Sequence, residues 1–340
     1  MSIETNVMVA TEKAKEAVKV KLKRNSKKAV PSAGKRLSLI QEIRKRWFFY
    51  LIALPGIIYL ILFCYLPMAG LYVVFERYTY QGGLFGSEFV GLQNFRFFFM
   101  NLNNAIRATR NTLVINGFSI VLGVVVNVGL AVLLNEINSK RYQKVTQSVM
   151  LFPYFISWIV VGMVALALFD ENTGMINSVI TALGGTPVGW YSNADYWWPI
   201  MIITTIWKNA GYGSIIYYCA LTGFDQSLYE AAEIDGAGRW QRIWRITLPL
   251  LKPTIVIMFL LNIGGILAGG VDQIMGMTSL NPFLLEKTDT IATFVYRSAI
   301  VNGQFESASA ITLYQSIFGF FLVLGSNLLV KKFDPDYALF

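Results

Sequence analysis

The chain has 340 residues, of which 55% are hydrophobic and 14% charged, with a mean hydropathy of +0.50 and a formal net charge of +9 at pH 7. This is far from the balance of a soluble globular domain, and it sets an all-α polytopic membrane protein as the expected fold class. Histidine is absent, which removes the usual general base, proton relay and zinc ligand, so no catalytic or metal-ligating residue is expected.

Residues 1–46 carry thirteen Lys and Arg against four Glu, with no apolar run long enough to span. The stretch reads as a solvated basic arm, either a tail that fixes orientation or one whose lysines touch anionic headgroups. No secretory signal is expected, since the basic stretch is too long and no small-residue cleavage site follows the first apolar run.

Six apolar segments follow, at about Trp47–Leu66, Thr112–Leu134, Gln147–Phe169, Tyr196–Leu221, Thr254–Ile274 and Ala310–Val330, each near the length that crosses a bilayer core. They define a six-helix transmembrane domain over 47–332, interrupted by a polar loop at 225–253 and followed by a short tail at 333–340. With the N-terminus inside, the inner connectors carry 22 Lys and Arg and the outer ones 6. The positive-inside rule therefore puts both termini and the 225–253 loop in the cytoplasm.

The polar points inside the apolar segments are few. Pro153 predicts a kink in the third segment. The fourth carries Lys208 near mid-depth, then Asn209, Tyr212 and Tyr217. A buried ammonium must face a partner or a wet cavity, so Lys208 is either an anchor on helix carbonyls or a carboxylate, or a pathway residue. The tyrosines suit a polyhydroxylated ligand as well as plain packing. In the fifth segment Asn262 is a pathway candidate or an interhelical hydrogen bond, and Asp272 and Gln273 sit at the outer mouth, where solvated caps are the simpler account. Gly265 and Gly269 form a small-xxx-small face, expected at the seam with a second subunit.

The loop has its own signals. Ser227 and Glu230 match a capping box, Gly236 suits a helix end, and Trp240, Ile243, Trp244 and Leu248 recur at helical spacing until Pro249 and Pro253. Two short amphipathic helices at a bend are expected. No G-x-x-x-x-G-K-[ST] occurs, so no P-loop is present. Cys64 and Cys219 lie in separate apolar segments and read as small buried hydrophobes.

Several motifs then carry a resemblance. Glu230-Ala231-Ala232, three residues, Gly236, nine residues and Ile246-Thr247-Leu248-Pro249 is similar to the EAA loop of bacterial ATP-binding-cassette importers. Val90-Gly91-Leu92-Gln93-Asn94-Phe95 resembles a VGLxNF signature, Leu151 to Trp158 an LPxFISW pattern, Trp207-Lys208-Asn209 a recurrent WKN, and Asp289 to Arg297 a DTYVYR stretch. Together they cover about Trp47 to Lys332 and resemble the type I, maltose-transporter-like permease subunits. Tyr154 departs from a position where such proteins often have His, which weakens any copied substrate.

The resemblance implies a non-enzymatic transport subunit of a bacterial cytoplasmic membrane. It would form half of a pathway with a second, homologous permease, receive an oligosaccharide from an extracytoplasmic solute-binding protein, and couple to a cytoplasmic ATPase dimer. ATP and Mg would sit on that ATPase, with no cofactor on this chain. Glu230, Ala231, Ala232, Asp235, Gly236, Leu248 and Pro249 would do the coupling. Lys208, Asn209, Tyr212, Tyr217, Asn262, Asp272 and Gln273 would line the pathway, and the charge of Lys208 would suit an acidic, uronate-containing sugar. A secondary transporter and a membrane scaffold or sensor without an ATPase are the alternatives; a homodimer also stays open.

Overall fold

The computed structural model describes residues 45–100, 102–333 and 335. The basic arm up to residue 44 and nearly all of the 333–340 tail lie outside the described residues. The described residues divide into two units, one up to Ala69 and one from Gly70 onward. In the first, helix α1 (Trp47–Leu60) runs into a π turn over Ile61–Tyr65, whose last bond goes from Leu66 N–H to the Ile61 carbonyl. Pro67 follows directly. A proline ring clashes with the carbonyl four residues back, and the widened turn makes room for it.

The second unit opens on a two-stranded ribbon, β1 (Glu76–Arg77) and β2 (Glu88–Phe89), paired antiparallel with Arg77 opposite Glu88. Asn94, in the motif that begins helix α2 (Gln93–Met100), donates from Nδ2 to the carbonyls of Val74 and Glu76 at 2.9 and 2.8 Å. Gly91 turns with φ +62°. The Val90–Phe95 signature thus ties the ribbon back to the chain that precedes it.

The bundle is built from α3 (Leu102–Asn135), α4 (Lys140–Phe155), α5 (Trp158–Phe169), α6 (Met175–Ala182), α7 (Trp197–Thr222), α8 (Ser227–Ile234), α9 (Arg239–Gly264), α10 (Val271–Thr278), α11 (Ile291–Tyr296) and α12 (Phe305–Phe333). Four helices among the described residues are long and apolar enough to cross a membrane, and the pair α4 and α5, bent by 93°, brings the number to five. The segment expected at Tyr196–Leu221 is the 26-residue α7, which is long enough but diluted by Thr, Lys, Asn, Gly and Ser. It packs along α3 in the most extensive helix pair of the unit.

Apolar surface gains little from helix contact when lipid is the alternative, so close backbone approach does the work. A Cβ at Gly162 of α5 would overlap the carbonyl of Gly276 of α10, and one at Gly211 of α7 would overlap that of Met150 in α4. Around these crossings lie fully buried Trp197 and Met201, packed with Val161, Ala165, Ile274 and Met277.

Three sequence expectations change here. The segment Thr254–Ile274 is not one helix: α9 starts at Arg239 and stops at Gly264, and the chain turns through Gly269 and Gly270, both near φ +86°, before α10. Gly265 and Gly269 therefore do not form a helical small-xxx-small face. Pro249 and Pro253 do not stop a helix either. A π turn over Ile243–Thr247, closed by Leu248 N–H on the Ile243 carbonyl, absorbs Pro249, and α9 runs through both prolines.

Candidate functional site

At one end of the bundle α7 gives way to the loop that bears α8. The predicted capping box is absent: Asp225, not Ser227, supplies the cap, its Oδ1 accepting from Ser227 N–H at 2.9 Å. That bond, with the Ser227 hydroxyl second, holds the Asp225 carboxyl below its usual range. The helix end is as expected. Gly236 has φ +79°, Gly236 N–H donates to Glu233 O at 3.0 Å and Ala237 N–H to Ala232 O at 2.8 Å, the bonding of a Schellman motif.

The loop folds back on α9. Tyr229 Oη lies 3.2 Å from Thr247 Oγ1, Arg242 pairs with Glu233 at 2.9 Å, and Arg239 reaches Glu136 at the end of α3 at 3.9 Å. Between α8 and the start of α9 is a polar hollow of about 370 Å³ lined by Asp235, Gly236, Gln241 and Arg245. Glu230 and Ala231 are exposed and Ala232 is half-buried. Leu248 and Pro249 stand apart, inside α9 beyond the π turn, where Leu248 packs against the cluster of Tyr217, Leu221 and Leu251. A short, rigid helix is presented outward on a braced loop.

Further along the bundle, α3, α7 and α9 enclose a cavity of about 470 Å³. Asn209, Tyr212, Tyr217 and Asn262 line it, joined by Asn116, Ser119, Asn127 and Thr205. Asn209 Nδ2 donates to Thr205 O at 2.9 Å, Asn262 Nδ2 to Met258 O at 2.6 Å and Asn116 Nδ2 to Ile266 O at 2.6 Å. The amide of Asn127 lies over Gly213, where a Cβ would overlap it. The ring of Tyr212 stacks on Tyr154 of α4, centroids 4.6 Å apart and planes 11° off parallel. No Asp, Glu, Lys or Arg lines the cavity.

Lys208 is therefore not a lining residue. Its Nζ donates to the carbonyls of Pro153, Tyr154 and Ile156 at 3.3, 2.7 and 2.5 Å, and lies 5.4 Å from the Trp158 ring centre. It caps the C-terminus of α4 at the 93° elbow, where the break leaves last-turn carbonyls without helical donors. Gln273 is likewise structural: nearly buried, it donates from Nε2 to Met201 O at 2.9 Å and Thr204 Oγ1 at 3.1 Å and accepts from Thr205 at 2.9 Å. Asp272 is exposed in the first turn of α10 and lies outside the cavity lining. The structure thus separates the predicted pathway residues into a cavity group and three that belong elsewhere.

The far end of the bundle is tied by the Asp289–Arg297 stretch. Asp289, fully buried, accepts from Arg107 at 3.1 Å, Arg297 at 2.8 Å and the Thr293 hydroxyl at 3.0 Å. Asn111 of α3 donates to the Asp289 and Glu286 carbonyls, both at 2.9 Å. Nearby, burial and then the charge of Asp170 push the Tyr191 phenol up to about 12.

A helical membrane bundle with an outward helix on a braced polar loop and an uncharged, amide-lined cavity defines the membrane subunit of a transport system. The family described as binding-protein-dependent transport system inner membrane component matches residues 120–337, and the chain belongs to that family. Protein LplB of Bacillus subtilis (strain 168) is 37% identical over 308 residues, 90% of this chain and 96% of its own. The polygalacturonan/rhamnogalacturonan transport system permease protein YteP of the same organism is 36% identical over 302 residues, 89% and 93%. The crystal structure of a bacterial alginate ABC transporter, in complex with an alginate pentasaccharide-bound periplasmic protein, contains a chain that superposes with a TM-score of 0.78 at 32% identity, covering 87% of this chain and 98% of that one.

Proposed function

We propose that the chain is one permease half of an ATP-driven, binding-protein-dependent importer for an oligosaccharide. The observation that carries the substrate class is the uncharged cavity between α3, α7 and α9, where asparagine amides and the Tyr212 ring match the hydroxyls and C–H faces of a sugar. The names of similar proteins, a polygalacturonan/rhamnogalacturonan permease and an alginate transporter, favour uronate-containing fragments. Lys208 no longer supports that preference, because its charge is spent on helix carbonyls.

In this reading α8 is the coupling helix, with Glu230, Ala231 and Asp235 on its outward surface, and both termini share its cytoplasmic side. ATP and Mg belong to a separate ATPase dimer, and a second, homologous permease completes the pathway. Purification of the chain with its neighbouring gene products in lipid nanodiscs tests this. ATPase activity stimulated by a sugar-loaded binding protein, and lost in Glu230→Arg with the complex still assembled, is expected. Failure of any ATPase to associate with the intact membrane subunits would reject the coupling role.

A further inference from the structure

The polarity of the cavity goes a step beyond its size. An amide nitrogen can donate to a carbonyl and an amide oxygen cannot, so Asn116, Asn209 and Asn262, each with Nδ2 on a backbone carbonyl, turn Oδ1 away from the backbone. None of these oxygens accepts a bond among the described residues. They come from three different helices around one cavity, and Asn209 and Asn262 are exposed within it. Asn127 and Ser119 add buried side-chain oxygens that have no hydrogen-bond partner.

Resting on the oligosaccharide reading above, we propose that this half of the pathway is an acceptor surface that binds sugar hydroxyl donors and turns the carboxylates of an acidic sugar away. A carboxylate is acceptor-only when ionised. In a lining with no Lys or Arg it finds no counter-charge, meets the like partial charge of the Asn oxygens, and has only neutral donors such as the Ser119 and Tyr212 hydroxyls to bond. Hydroxyls donate and are held. Discrimination for an acidic sugar then lies outside this chain's cavity, and this half selects for a hydroxyl-bearing face common to acidic and neutral sugars.

The test uses the assembled importer in proteoliposomes with two probes of equal length and linkage, a trigalacturonate and the corresponding neutral trigalactoside. Asn262→Leu, which removes the acceptor, lowers uptake of each imported probe by about tenfold or more. Asn262→Asp, which keeps an acceptor and adds a negative charge, lowers uptake less than Leu does and lowers both probes by a common factor. Asn209→Asp and Asn209→Leu repeat the comparison on another helix, and size-exclusion recovery of each complex separates assembly defects from transport. If Asp abolishes trigalacturonate uptake selectively, the carboxylate faces this surface and the inference fails. It also fails if Leu and Asp are equally damaging, or if Leu is harmless in an assembled complex. Wild-type importer that moves neither probe would instead reject the oligosaccharide reading, and the acceptor surface with it.

Discussion

The ammonium of Lys208 lies 2.7 Å from the carbonyl oxygen of Tyr154, and the ring of the same tyrosine stacks on the cavity residue Tyr212. One lysine thus fixes both the elbow between α4 and α5 and one wall of the cavity. Removing the charge takes the lysine donor from the Tyr154 and Ile156 carbonyls, while that of Pro153 keeps the Ile156 N–H, and hydrogen bonds to a charged group are worth about 1.5–3 kcal/mol. Lys208→Met is expected to lower the heating midpoint of the detergent-solubilised complex and to reduce acidic and neutral sugar uptake by one common factor. A selective loss of acidic sugar would return Lys208 to the pathway.

Gly162 and Gly276 bring α5 and α10 into backbone contact, with no space for a methyl group. Gly162→Ala forces the helices apart and costs about 1–3 kcal/mol or more. Loss of assembled complex on size exclusion is the expected result. Gly129→Ala in α3, where a Cβ meets nothing within 4 Å, serves as the matched control and assembles normally.

Asp289 neutralises two arginines from separate elements, Arg107 of α3 and Arg297. Asp289→Asn leaves both guanidinium groups without a counter-charge in a buried site, a change that costs about 3–5 kcal/mol. Limited proteolysis should then cut the 279–304 region far faster than in the wild type. The double change Asp289→Asn with Arg297→Met recovers part of the resistance, because one uncompensated charge is gone.

Asp225 gives a pH test of the coupling loop. Its folded-state carboxyl titrates below the ordinary 3.8 because it accepts from the Ser227 backbone N–H. A depressed acid contributes stability that is complete above its unfolded value and is lost as pH falls through the folded one. The ratio of stimulated ATPase in Asp225→Ala to that in wild type should therefore be below one and constant between about pH 5 and 8. A ratio that changes within that window would mean another group holds the start of α8.

Much of the architecture was legible because membrane insertion writes itself into composition. The apolar runs, the polar loop and the Gly236 helix end all follow from residue chemistry alone. Position within a helix was harder. Pro249 reads as a stop, yet a π turn carries α9 past it, and nothing local announces that the turn will widen. Ser227 and Glu230 match a capping box, but Asp225 two residues earlier competes successfully for the free N–H. Lys208 looks like a pathway charge until the Tyr154 carbonyl at the end of α4, 54 residues away in the chain, is seen to take its ammonium. Asn116, Ser119 and Asn127 went unread inside an otherwise apolar segment. Asn116 and Asn127 share a helix face with Gly123, at steps of seven and four residues, and that stripe was the available signal.

The interruption after Gly264 makes one wall of the cavity depend on two other helices. Two carbonyls released there, those of Ile266 and Leu267, are taken by Asn116 of α3 and Gln315 of α12, at 2.6 and 2.7 Å. In lipid an open carbonyl is costly, so the broken form is stable only beside both donors. The bend after Gly264 is therefore held jointly by α3 and α12, and the cavity wall that Ile266 contributes is fixed by a side chain from across the cavity rather than by its own helix.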